Sequence, residues 1–562
     1  MKPFWVTFYS YKGGVGRSMA LANTAALLVQ QGRRVLLIDF DLEAPGLDSF
    51  AEFAPAAGTP GVVEYVSEFL SQQRAPDIRT YVHRCELPGP LRGQLWLMPA
   101  GRRDAAYNRQ LSRLSWAELY ERGLGEPFVA NWKAAIAEHF EPDYVFIDSR
   151  TGLTEVGGIC TTQFPDLVVM LFGLNEQNVR GTATVAQSIR ESDPDRVPQM
   201  HFVATPVPNF PPDPRGGSGD KRIWQERRSQ FSERLDAAGT LLGVNVESTI
   251  RYYAPASLYE KLFVLEKNTL RQSIVGDYER LSSQITQFNR TGLDFLITQA
   301  EAAISKGDSE RIERLSAVLE RDYSDRPESL FVRSRFALHR NHIDRALALA
   351  EQSLDLDPAY SDPFNFLCSH YTRTHRHDKV VELAGQLLRR AERIAPDAVY
   401  AIEAERAPNL MALEQYAEAA KSYSSCIAYA NEHPESSSNF IIHLFNAAEA
   451  QRRNSKVLDA AQWKKIAKLF SLPGASSDSP SPTQANRLQA MHIAFACAGD
   501  LPAAQDALRK AKYAAESVGE VEDVFTVKFY REVPVRQFID INNEMLAALS
   551  RGELWDGMKL PH

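Results

Sequence analysis

The sequence predicts a doubly wound, mostly parallel α/β sheet followed by an all-α solenoid. Three observations predict it. Short β-rich runs alternate with helical periodicities through the first half; that strand signal stops near Asp294, where alanine-rich helical faces take over; and a glycine-rich turn joins the first strand to the first helix. Candidate strands lie at 4–9, 34–40, 95–98, 144–147, 167–172 and 201–205. Most are continuous apolar runs, as required of strands covered by helices on both faces. Helical patterns fall between them at 18–31, 61–72, 116–139, 177–190 and 222–238. In such a sheet the ligand sits beyond the carboxyl ends of the strands, where the glycine turn falls.

In the second half, the helical segments 344–357, 378–395 and 417–433 each end in a short turn containing Pro358, Pro396 or Pro434. These prolines recur at about 38 residues, and the pattern resembles tetratricopeptide arrays, whose helix-turn-helix unit has roughly 34. Segments 311–325 and 501–517 read as further, divergent units. Paired helices cannot bury their apolar faces alone, so such units stack into a superhelix with a concave binding surface. A Ser/Pro-rich stretch (SLPGASSDSPSPT) interrupts the array as a flexible excursion at about 471–484. The expected domains are therefore 1–295 and 296–562.

Composition narrows the class. With 44% hydrophobic and 24% charged residues the chain reads as a globular protein. A formal net charge of −8 argues against a general polyanion binder, nucleic acid included. Cys85, Cys160, Cys368, Cys426 and Cys497 lie far apart, without metal-like spacing, and read as small buried hydrophobes in a reducing cytosol. No run approaches the roughly 20 apolar residues needed to span a bilayer. The first apolar run is too short for a signal peptide, and the C-terminal 549–562 lacks a basic amphipathic anchor. The expected setting is cytoplasmic, with no membrane partner.

The chemistry concentrates at Tyr11-Lys12-Gly13-Gly14-Val15-Gly16-Arg17-Ser18. Glycines let a backbone curl its N–H groups inward around phosphate, and the following helix N-terminus adds partial positive charge. The ordinary phosphate loop, G-x-x-x-x-G-K-[ST], is departed from at two positions: Tyr11 replaces the first glycine and Arg17 the lysine. A lysine stands early instead, at Lys12. The expected phosphate-binding set is Gly13, Gly14, Val15, Gly16, Arg17, Ser18 and Met19. Asp39 and Asp41 close one apolar run and Asp148 another. Together with the Ser18 hydroxyl, Asp39 and Asp148 are the groups placed to hold Mg²⁺ on a nucleotide polyphosphate.

These motifs in this order (KGGVGRS, then DFD, then YVFIDS), with the strand-turn LWLMPAG between them, resemble the deviant-Walker ATPases related to ParA and MinD. The variant is similar to the subgroup named for its KGGVGR motif, whose members often carry helical repeats or accompany bacterial signalling and defence proteins. The resemblance covers roughly residues 1–295 and implies ATP and Mg²⁺ as ligands. It implies that Lys12 reaches across a dimer interface to the partner's phosphates, that Asp41 orients the attacking water, and that Asp148 is the Walker B carboxylate. The implied function is an ATP-dependent dimerisation switch and slow ATPase, with an unidentified protein partner on the helical repeats. Arg17 keeps the lysine's charge in a longer, planar head, which leaves open a nucleotide-holding scaffold without turnover. A DNA or membrane partition ATPase and a metabolic ligase or kinase of the same group fit less of the chain.

Other residues carry two readings each. Arg150 is a phosphate sensor or a surface ion pair; Glu155 is a catalytic base or, as an early helix residue, the cap of a first turn; Gln177, Asn178 and Arg180 lie where such ATPases contact a partner subunit. Thr205, Pro206 and Asn209 are candidates for contact with the base, and the Pro/Gly-rich 206–220 is a surface loop or a lid. His370, His375 and His377 (HYTRTHRH) fall at a helix end and turn, without a fourth ligand at zinc-like spacing.

Overall fold

A computed structural model describes residues 2–88, 92–114, 116, 119, 124–152, 155–193, 196–209, 218–266, 274–390, 394–433, 440–470, 481–518, 525–527 and 531–560. The chain divides into two compact units, 1–339 and 340–562. That division falls later than the expected 295/296.

The first unit is built on one sheet. Its strands are β1 (Phe4–Ser10), β2 (Arg34–Phe40), β3 (His83–Cys85), β4 (Gln94–Met98), β5 (Tyr144–Ser149), β6 (Leu167–Phe172), β7 (Gln199–Val207) and β8 (Ser248–Arg251), in the order β3-β4-β2-β5-β1-β6-β7-β8. All neighbours are parallel except β3, which runs antiparallel to β4. The short edge strands β3 and β8 add to the six that the sequence predicts. Helices α1 (Arg17–Gln30), α2 (Val62–Gln72), α3 (Tyr107–Leu111), α4 (Gly125–Phe140), α5 (Glu155–Thr162), α6 (Glu176–Ser192), α7 (Ser218–Leu242) and α8 (Ile274–Phe288) cover it.

The central strands are apolar on both pleat faces because each face meets its own layer. Val6, Phe8, Leu37 and Phe146 pack with Leu21, Leu28 and Leu281 of α1 and α8. Trp5, Leu36, Ile38 and Ile147 pack with Tyr65, Phe128 and Trp132 of α2 and α4. Alternate residues thus serve opposite cores, which is why these runs read as continuous rather than alternating.

Helices α9 (Leu293–Lys306), α10 (Ser309–Asp322) and α11 (Pro327–His339) belong to this first unit. They share a small core of Leu296, Leu319 and Phe336. Ion pairs then fasten them beneath the amino ends of the strands. Buried Arg33 reaches Asp294 at 2.7 Å and Glu328 at 3.1 Å, and Arg326 reaches Asp143 at 2.6 Å.

The second unit is helical: α12 (Ile343–Leu356), α13 (Ser361–Arg373), α14 (His377–Leu388), α15 (Pro396–Ala412), α16 (Tyr416–Glu432), α17 (Phe440–Ser455), α18 (Ala460–Phe470), α19 (Pro482–Cys497), α20 (Leu501–Val518) and α21 (Val535–Ser550). Neighbours in sequence pack on one another through small residues, as Ala419, Ala447 and Ala450 do beside Tyr423. A two-stranded antiparallel hairpin, β9 (Phe525–Val527) with β10 (Arg531–Val533), lies before α21 and departs from the expected all-helical pattern. Buried Phe525 and Val533 seat it in the core with Phe538. Residues 471–480 of the expected excursion, 210–217 of the expected lid and Pro434 lie outside the described residues. Among the described residues no helix is long and apolar enough to cross a membrane.

Candidate phosphate and metal site

The site forms where β1, β2 and β5 end side by side. Asp39 on β2 pairs in register with Asp148 on β5, and Phe8 on β1 pairs with Asp148 from the other side. The glycine turn leaves β1 at this edge and delivers α1. Gly14 and Gly16 take φ of +78° and +79°, which a side chain resists. No heavy atom lies within 4 Å of where a Cβ would stand on Gly13, Gly14 or Gly16, so the turn presents open backbone. No acidic residue opposes the helix N-terminus in the first turn of α1. Thr205 at the end of β7 donates to the Val15 carbonyl at 3.1 Å and fixes the turn from the side.

Four predicted side chains come together. Arg17 is buried, with Nε 2.5 Å from Asp148 Oδ1 and NH2 2.7 Å from Asp41 Oδ2. Ser18 Oγ donates to Asp148 Oδ2 at 2.5 Å. Burial works against the guanidinium's charge, but Asp148 and Asp41 outweigh it and hold the Arg17 pKa well above its ordinary value. NH1 of Arg17 is buried without a hydrogen-bond partner. Asp39 stands beside this group with its carboxylate on backbone: Oδ1 accepts from the Asp41 N–H at 3.1 Å, and Oδ2 from Gly46 and Leu47, each at 3.2 Å. Asp39 therefore shapes the segment carrying Asp41. Burial, with the neighbouring Asp148 charge, pushes its carboxyl up to about 8.

Lys12 lies apart from this cluster. Its Nζ donates to Gln177 Oε1 at the start of α6. Tyr11 lies against the same helix, where a Cβ on Gly181 would collide with its ring. Met19 is held in the first turn by Asn23, whose Nδ2 donates to the Met19 carbonyl at 3.0 Å.

The remaining candidates resolve individually. Arg150 ion-pairs with Glu43. Asn178 is buried, and its N–H is capped by Asn175 at 3.0 Å; Arg180 pairs with Glu176 at 2.7 Å on the exposed face of α6. Asn209 is exposed, and the side chain of Glu155 lies outside the described residues. His375 takes φ +57° in the turn after α13, and His377 Nδ1 lies 2.8 Å from Asn409 Oδ1. Among the described residues no group of three or more His, Cys, Asp or Glu is arranged to hold a metal ion. All five cysteines are buried free thiols.

The residues fit a magnesium–nucleotide pair by an observation internal to the site. An open glycine turn at a helix N-terminus adjoins a half-buried hydroxyl bonded to a buried carboxylate, and an arginine nitrogen that lacks an acceptor. Mg²⁺ is ordinarily held by one or two carboxylates plus phosphate oxygens, which does not require a cage of protein ligands.

The model of the CobQ/CobB/MinD/ParA nucleotide binding domain matches residues 6–347. Among solved structures, the MinC:MinD cell division protein complex of Aquifex aeolicus is 19% identical, covering 50% of this chain and 95% of that one with a TM-score of 0.32. The ParA family ATPase of Chlorobium tepidum TLS is 16% identical, over 50% of this chain and 98% of that one, with a TM-score of 0.33. MinD of Pyrococcus horikoshii OT3 complexed with Mg-ADP is 14% identical, over 51% and 97%, with a TM-score of 0.34. No curated protein matches the sequence.

Proposed function

The chain belongs to the CobQ/CobB/MinD/ParA nucleotide-binding family, and from that premise we propose that it is an ATP-dependent dimerisation switch, a slow Mg²⁺-dependent ATPase whose helical second unit recruits a partner protein. The division of cations at the loop carries this reading. Arg17 engages Asp41 and Asp148 of its own chain, whereas Lys12 rests outside that cluster on Gln177. Gln177 is neutral, so Lys12 leaves it without breaking an ion pair. A primary amine so placed is suited to the phosphates of a second copy.

In this reading Gly13, Gly14, Val15, Gly16, Arg17, Ser18 and Met19 wrap the polyphosphate at the start of α1. Ser18 and Asp148 would hold Mg²⁺ with Asp39 behind them, and the ion would supply positive charge to the phosphates. Asp41 accepts a hydrogen bond from the attacking water and turns it toward the terminal phosphoryl group. Lys12 supplies positive charge to the partner copy's site, which makes turnover a property of two chains. The paired helices of the second unit, read as tetratricopeptide-like, supply the surface for a protein partner. The KGGVGR resemblance sets that partnership in bacterial signalling or defence.

The test is Mg²⁺-dependent ATP hydrolysis against protein concentration, with light scattering in parallel. Turnover per subunit is expected to rise as the dimer forms; turnover independent of concentration sinks the switch. One observation favours a second reading, a nucleotide-bound scaffold without turnover: Arg17 occupies both carboxylates that hydrolysis would use. Nucleotide binding with no hydrolysis at any concentration selects it.

A further inference from the structure

The Asp148 carboxylate has both oxygens engaged. Oδ1 accepts from Arg17 Nε and Oδ2 from Ser18 Oγ, each at 2.5 Å. The Arg17 fork also spans to Asp41 on a different strand end, at 2.7 Å. Planar guanidinium geometry permits this double engagement; the compact ammonium of a lysine is a point charge and does not present two edges to two carboxylates. Charge-assisted hydrogen bonds of this kind are about twice as strong as neutral ones, and here Arg17 and Asp148 are buried and Asp41 half-buried.

A divalent cation held by Ser18 and Asp148 needs the same oxygens that now face Arg17 and its neighbouring hydroxyl. The guanidinium and the metal therefore compete for one carboxylate. NH1, buried without a partner, is the edge that remains for a phosphate oxygen. A nucleotide thus meets a cation that is already in place, while the metal must first open an ion pair.

We propose that Arg17 is a latch on metal entry: a positioning residue that holds Asp148 and Asp41 together and sets the Mg²⁺ concentration at which a bound nucleotide becomes metal-loaded. The proposal rests on the nucleotide reading above. It accounts for the arginine in a loop position where a lysine would bind phosphate without tying down the carboxylates.

The experiment is a calorimetric Mg²⁺ titration of the full chain with a saturating non-hydrolysable ATP analogue, at concentrations where light scattering reports a monomer. Wild type is compared with Arg17→Lys and Arg17→Gln, each checked for native circular dichroism. Both variants are expected to reach half of the metal-dependent signal at about tenfold lower Mg²⁺ than wild type, the fold-change that one charged contact commonly gives. Equal or higher midpoints in Arg17→Lys, which keeps a cation for the phosphates, overturn the latch and leave the nucleotide reading standing. Failure of wild type to bind the analogue at any Mg²⁺ concentration overturns both.

Discussion

At the carboxyl end of the sheet Arg17 lies between Asp41 and Asp148; at the amino end Arg33 lies between Asp294 and Glu328. Both arginines are buried, and both bridge carboxylates from separate elements. Their surroundings differ. Arg33 meets Asp294 through Nε and NH2, Tyr144 donates to the same carboxylate at 2.9 Å, and Arg92 reaches Glu328 at 2.6 Å, so each carboxylate has a second group holding it. Arg17 is flanked instead by exposed Gly13, Gly14 and Gly16. One chemistry serves as a staple where each carboxylate is held by a second group as well. At Arg17 the same chemistry stands beside the open backbone of a glycine turn.

The sharpest way to break this contrast is at the cation that neither cluster uses. Lys12→Ala is expected to abolish the ATP-induced dimer and to lower turnover by about 10³-fold, the lower range for a trans-acting cation, while monomer binding persists. An unchanged dimer in light scattering removes Lys12 from the interface. Next, Arg33→Ala is expected to cost about 3–5 kcal/mol in urea unfolding, because it takes the buried cation from Asp294 and leaves Glu328 with Arg92 alone. Nucleotide affinity of the folded variant should match wild type, and a marked loss of affinity would show that the two ends are not separable.

The smallest expected effect concerns acid. Burial alone would raise the Asp294 carboxyl, but Arg33 beside it holds it below its ordinary value. A carboxyl depressed in the folded state binds fewer protons there than in the unfolded chain. Its contribution is therefore present above the unfolded value, about 3.9, and is lost as pH falls through the folded one. Asp294→Asn should be less stable than wild type at pH 7, and the gap should close below about pH 4. A gap that stays constant in urea melts from pH 3 to pH 7 would mean that Asp294 acts by shape and not by charge.

The core strands were legible because both faces of β1, β2 and β6 are apolar, a signal that needs no partner to be read. The edge strands β3 and β8 were not, since His83-Arg84-Cys85 and Ser248-Thr249-Ile250-Arg251 are short and largely polar. Likewise, periodicity identified helices near 311–325 but could not assign them to the first unit. That assignment depends on Arg33 meeting Asp294 and on Arg326 meeting Asp143, charges far apart in sequence. At the site, residue types and spacing named Arg17, Ser18, Asp39, Asp41 and Asp148. Direction was the missing part: spacing places a guanidinium at a helix start but does not say that it turns back onto two carboxylates. Nor does it say that Asp39 spends its oxygens on the Asp41, Gly46 and Leu47 amides. The tie between Thr205 and Val15 had no readable signal beyond a threonine at a strand end.

Tyr11 stands where the ordinary loop begins with a glycine, and its ring fills the space over Gly181. The loop's first residue is thus fixed by packing against another helix and not by backbone freedom. Positions 11 and 181 are bound as a pair, an aromatic on one requiring bareness on the other. In any lineage of such chains, the loss of one should travel with a change in the other.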